Sequence, residues 1–180
     1  MEAQLRSPSV RRVVLTGSES TGKTTLAARL AEHYHTVFSP EFVREFMLAK
    51  GSPLTFQDHG PIARGQMAAE DDAVARATRV AFLDTDLVST VVYCGHYYGQ
   101  CPQWIVDATR ARAADLYLLL DIDVPWVPDP ARDRGDRREE MHALFRNALA
   151  SFGLPFVEIR GDWDARLASA CRAVDALLAR

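Results

Sequence analysis

The chain has 180 residues, 48% of them hydrophobic and 25% charged, with a formal net charge of −3. Those values exclude a disordered protein, allow one well-buried core, and offer no basic field to a nucleic acid or a membrane surface. Three cysteines without metal-ligand spacing, no apolar leader, and no run near the roughly 20 residues of a membrane span point to the reducing cytoplasm.

Along the chain, apolar runs alternate with helical periodicities. Strands are predicted at residues 12–17 (RVVLTG), 36–41 (TVFSPE), 79–86 (RVAFLDTD), 115–123 (DLYLLLDID) and 155–161 (PFVEIRG). Helices are predicted at 24–34, 61–79, 102–114, 138–152 and 162–180. The first, third and fourth strands are apolar at nearly every position. That is the pattern of strands covered on both faces, because a half-exposed strand would alternate. Strand–helix alternation then predicts an α/β fold: a doubly wound, parallel, five-stranded sheet in three α/β/α layers, with residues 1–180 as one domain.

Directly after the first strand stand Gly17, Ser18, Glu19, Ser20, Thr21, Gly22, Lys23, Thr24 and Thr25. The first eight satisfy G-x-x-x-x-G-K-[ST], the phosphate-binding loop of P-loop NTPases. Its glycines let successive backbone N–H groups converge on phosphate oxygens, and the following helix adds its positive end. Lys23 is placed for the β and γ phosphates and the Thr24 hydroxyl for Mg²⁺, so ATP and Mg²⁺ are the expected cofactors.

Phosphoryl transfer also needs a group to take the acceptor's proton, and open α/β sheets bind ligands at the carboxyl ends of their strands. Three carboxylates qualify: Glu41 after the second strand, and Asp84 and Asp86 after the third. Asp84 follows an apolar run, as a carboxylate near Mg²⁺ does in this architecture. Glu41 could instead pair with Arg44, and Asp86 could cap a helix. Residues 125–141 (PWVPDPARDRGDRREEM) read as a lid, whose Arg132 and Arg134 would lay guanidinium groups over transferring phosphates.

Two resemblances narrow the acceptor. Residues 40–46 (PEFVREF) resemble the E-P-x-x-R segment of deoxynucleoside kinases, with Phe42 in place of the proline and the arginine one residue early; this implies Glu41 as the base. More of the chain resembles the ribosylnicotinamide kinase domain of NadR-type proteins. The similarity runs through the phosphate loop, 41–46 (EFVREF), Gly65-Gln66, 82–90 (FLDTDLVST) and 116–132 (LYLLLDIDVPWVPDPAR). In that family an adenylyltransferase domain precedes the kinase; with so few residues before the first strand, neither it nor a DNA-binding module is expected here. The resemblance implies a nicotinamide riboside acceptor.

A cationic pyridinium ring calls for aromatic faces. Phe42, Tyr93, Tyr97, Tyr98, Trp104 and Trp126 could supply them, two or three touching the ligand, while Gln66 could hydrogen-bond the base. His59 and His96 read as packing or loop histidines. Arg44 and Asp86 complete the expected substrate contacts. The sequence thus predicts an ATP-dependent kinase acting on the 5′-hydroxyl of nicotinamide riboside. A different nucleoside acceptor, a plain ATPase and a non-catalytic ATP-binding module stand as alternatives.

Overall fold

Apolar runs of five or six residues give the sheet its centre. The computed structural model, which describes residues 10–127 and 137–180, contains five parallel strands. They are β1 (Arg11–Thr16), β2 (Phe38–Ser39), β3 (Val80–Asp84), β4 (Leu116–Leu120) and β5 (Phe156–Ile159), in the spatial order β2-β3-β1-β4-β5. Every residue of β3 and β4 is buried, whereas the edge strand β5 exposes Val157. The helices are α1 (Lys23–His33), α2 (Phe42–Lys50), α3 (His59–Arg76), α4 (Leu87–Tyr98), α5 (Gln103–Ala111), α6 (Arg138–Ser151) and α7 (Trp163–Leu178). None of them is long and apolar enough to cross a membrane.

The pleat divides the core in two. Val13 and Leu15 of β1 point to the layer of α1 and α7, where they meet Leu26, Leu30 and Val174. Val14 points to the opposite layer, beside Ala73 of α3, Val88 of α4 and Phe145 of α6. A period of two along the strand is enough to feed both layers. The parallel three-layer arrangement expected from the alternation of elements is therefore the one observed.

Register places the chemistry at one edge. β1 pairs with β3 so that Leu15 faces Asp84, and with β4 so that Thr16 faces Leu119. The chain leaving β1 thus emerges between the carboxyl ends of its two neighbours. It turns into α1 and out to β2 on one side, while later connections build β4 and β5 on the other. This is the switch point where open α/β sheets bind ligands.

Two helices were not expected. α2 buries none of its residues fully, so its apolar side chains leave no core stripe to read. α4 is rich in β-branched and aromatic residues (LVSTVVYCGHYY), a composition closer to strand than to helix. It begins because Thr85 adopts a left-handed conformation (φ 68°) and breaks the strand, and because the Asp86 carboxylate caps the next turn through the Val88 N–H.

Candidate active site

The phosphate loop owes its shape to its own residues and to the groups packed against them. Gly17 has φ 132°, and a Cβ there would stand 2.9 Å from the Leu120 carbonyl oxygen. Gly22 has φ 86° and precedes α1; its Cβ would fall 2.4 Å from the indole of Trp163. Only glycine suits either position. The Thr21 hydroxyl donates to the Ser18 carbonyl at 3.0 Å, bracing the loop from within. Lys23 Nζ donates to the carbonyls of Gly17 and Ser18 at 3.1 and 2.8 Å, so the lysine curls over the hollow that its own loop encloses.

Beneath the loop a buried Arg166 ties three segments together. It donates to the carbonyls of Thr21, Asp121 and Gly161 and pairs with the Asp123 carboxylate. Above it, Ser20 anchors both ends of the arginine-rich segment. Its hydroxyl accepts the Val127 N–H at 2.9 Å, and its carbonyl accepts from Arg138 Nη2 at 3.4 Å. Arg138, the first residue of α6, also lies 5.8 Å from the Trp126 ring centre. Arg132 and Arg134 lie outside the described residues.

Thr24 and Asp84 meet as expected: the threonine hydroxyl donates to Asp84 Oδ2 at 2.5 Å. The other carboxylate oxygen, Oδ1, is buried and has no hydrogen-bond partner. Burial first, then the nearby charge of Glu41, pushes the Asp84 carboxyl up to about 6, against the opposing pull of Lys23 and the Thr24 hydroxyl. A buried carboxylate with one oxygen unspent, next to a hydroxyl and a lysine, fits a magnesium ion that takes its remaining ligands from phosphates and water. No group of three or more His, Cys, Asp or Glu among the described residues could hold a metal independently of a nucleotide.

Glu41 is the residue just before α2, and Arg44 Nε stands 3.9 Å from its Oε2. The pairing does not remove it from the site. Glu41 and Arg44 line a small hollow of about 80 Å³ together with Gly22, Lys23, Thr24 and Thr25. Both also line a larger cavity of about 870 Å³ that continues from Gly17 and Lys23 to the aromatic end of α4.

Gln66 lines the cavity as expected of a substrate contact, and it also has a structural part. Its side chain is buried, and both ends of its amide are bonded to backbone. Oε1 accepts the Phe42 N–H and Nε2 donates to the Thr85 carbonyl, each at 3.1 Å. The amide is therefore a strut between the segment that carries Glu41 and the strand end that carries Asp84, with one N–H and one oxygen lone pair beyond these two bonds. Gly65 serves the same junction, since the Phe42 ring occupies the space where its Cβ would be. Asp86 borders the cavity, but its carboxylate is also engaged: Oδ1 accepts the Val88 N–H at 3.0 Å and Oδ2 accepts the Tyr117 hydroxyl at 2.8 Å. The same carboxylate thus caps α4 and borders the cavity.

Of the six aromatic candidates, Tyr93, Tyr97 and Tyr98 line the cavity. Tyr93 and Tyr97 are nearly parallel, 17° apart with ring centres at 6.1 Å. Trp104 lies outside the cavity wall, with the Arg64 guanidinium 4.6 Å over its ring. Trp126 is likewise outside it, beside Arg138, and Phe42 is committed to Gly65. His59, to which the sequence assigned no role, is part of the wall. A histidine at the start of a helix carries no signal for this in the sequence.

The family model for an AAA domain matches residues 12–166. The trifunctional NAD biosynthesis/regulator protein NadR of Escherichia coli (strain K12) is 34% identical over 164 residues, covering 87% of this chain and 40% of that protein. A crystal structure of NadR in complex with NR has a TM-score of 0.80 to this chain at 28% identity, over 96% of this chain and 52% of the other. A second, in complex with NAD and AMP-PNP, gives 0.77 at 28% identity, over 96% and 50%. The chain thus spans well under half of the curated relative and about half of the solved structures.

Proposed function

The chain belongs to the AAA domain family of P-loop proteins, and on that premise we propose that it is an ATP-dependent kinase for the 5′-hydroxyl of nicotinamide riboside. The product would be nicotinamide mononucleotide. One observation carries the reading: Glu41 shares a hollow with Lys23 and Thr24, on the side of the phosphate loop where the large cavity opens. A nucleotide holder has no use for a carboxylate there, whereas phosphoryl transfer to an alcohol needs one.

Each residue then has a task. Lys23 exchanges the carbonyls of Gly17 and Ser18 for β and γ phosphate oxygens, which keeps its charge at the bond being broken. Magnesium, held by Thr24 and Asp84, would neutralise charge on the same oxygens. Glu41 accepts the proton of the sugar hydroxyl as that oxygen attacks, and Arg44 stands beside it. Arg132 and Arg134 are assigned to the migrating charge by the composition of their segment. The cavity suits a cation, since its wall combines three tyrosines with the carboxylates of Glu41 and Asp86.

The acceptor follows from the same features together with the relatives. One solved NadR structure holds NR, which we read as nicotinamide riboside, and another holds AMP-PNP, an unreactive ATP analogue. An ADP-release assay over a panel of nucleosides tests the reading. Nicotinamide riboside should give turnover well above the acceptor-free rate. Turnover with a deoxynucleoside and none with nicotinamide riboside would reassign the acceptor, and equal ADP release without any acceptor would make the protein an ATPase.

A further inference from the structure

The far end of the acceptor cavity contains a polar group with no assigned purpose. His59, Ile62 and Gln66 recur at three- and four-residue spacing along α3 and all border the cavity. Gln66 marks the end near Thr85 and the catalytic carboxylates. His59 lies seven residues earlier, roughly 10 Å along the helix axis, where it meets Tyr98. That separation is comparable with the length of a pyridine riboside lying with its sugar toward Glu41 and its ring toward the tyrosines.

His59 is 5% exposed, and its Nε2 is buried without a hydrogen-bond partner. Among the described residues lining the cavity, it is the one buried side-chain nitrogen in that condition. Its ring is held edge-on against Tyr98, 73° between planes and 5.4 Å between centres, and Tyr98 is in turn packed on Phe56. An unpaired buried nitrogen costs stability unless something completes it. Two polar neighbours already have partners, Gln66 two backbone groups and Asp86 a backbone N–H and a tyrosine.

We infer that His59 reads the exocyclic carboxamide of the acceptor's base, and so sets the preference of this site for an amide-bearing pyridine riboside. The inference rests on the kinase reading above. A neutral imidazole can pair with either half of an amide, donating to its carbonyl or accepting from its NH₂. Burial lowers the pKa of His59, which favours the neutral ring and avoids setting a second positive charge against a pyridinium.

The test compares kcat/KM for nicotinamide riboside with kcat/KM for pyridine riboside, which lacks the carboxamide, in the wild type, His59→Phe and His59→Gln. Phe keeps an aromatic ring against Tyr98 and removes the nitrogens; Gln restores a hydrogen-bonding group. In His59→Phe the preference for nicotinamide riboside should fall roughly ten- to a hundred-fold, and His59→Gln should recover part of it. An unchanged preference in His59→Phe, with the wild type phosphorylating nicotinamide riboside, would overturn the role of His59 and leave the kinase reading intact. A wild type that ignores nicotinamide riboside removes both.

Discussion

The phosphate loop and the acceptor cavity share Lys23 and Glu41 but are held in place by different means. The loop rests on the sheet and on the fully buried Arg166, and its carbonyls accept from the Thr21 hydroxyl and from Lys23 within the loop itself. The cavity instead lies under α2, which buries no residue fully and meets α3 at the Phe42–Gly65 contact and the Gln66 amide. A triphosphate needs convergent dipoles fixed in advance, which a stiff backbone provides. The cavity wall is tied instead by side chains, among them the Lys50–Asp58 pair and the Gln66 amide. On the proposed reading, the Gln66 amide is what links the phosphate half of the site to the acceptor half.

Breaking the transfer while sparing the loop gives the largest effect. Glu41→Gln keeps the shape and removes the proposed base, so kcat should fall roughly 10²–10⁴-fold with little change in the KM for ATP. A variant that instead loses ATP affinity would tie Glu41 to the nucleotide half.

Cutting the strut comes next. Gln66→Leu keeps volume but frees the segments bearing Glu41 and Asp84 from each other, and a misplacement near 1 Å can cost up to about a hundred-fold. A ten- to hundred-fold drop in kcat is expected, again with the KM for ATP nearly unmoved. Gln66→Glu sharpens the point, because only its protonated form can both accept from Phe42 and donate to Thr85. Its activity relative to wild type should therefore rise as pH falls; a flat ratio would count against the strut.

The smallest effect concerns stability. The raised Asp84 carboxyl, at about 6 against an ordinary 3.8, means that the folded protein keeps a proton which the unfolded chain has released between those values. Stability from this group therefore falls as pH rises through that window, and the loss is complete above it. Asp84→Asn keeps an oxygen to accept from Thr24 and carries no charge. Without nucleotide or magnesium, its Tm should exceed that of the wild type at pH 8 by an amount on the order of 5 °C. The gain should vanish near pH 4, and Mg–ATP at pH 8 should reverse the order. An equal Tm difference at both pH values would show that the charge is not the cause.

The same contrast explains what was legible in the sequence. The loop is nine consecutive residues whose spacing is imposed by backbone geometry, so its residues and partners could be named in advance. The central strands were legible because burial on both faces leaves continuous apolar runs, as in β3 and β4. α2 was not, because its apolar residues border a cavity rather than the core. α4 was hidden by its β-branched composition and by the single left-handed Thr85 that ends β3. The cavity draws on residues far apart in the chain, and hydrogen bonds such as those from Gln66 to Phe42 and Thr85 leave no periodicity. Trp104 and Trp126 looked suitable by residue type, but side-chain direction placed them with Arg64 and Arg138 instead.

Ser20 has a consequence of another kind. Because one serine receives both the Val127 N–H and the Arg138 side chain, a displacement of the phosphate loop at Ser20 reaches residue 127 and the start of α6 together. The two contacts use different atoms of Ser20, so Ser20→Ala removes the hydroxyl that accepts from Val127 and leaves the carbonyl that accepts from Arg138.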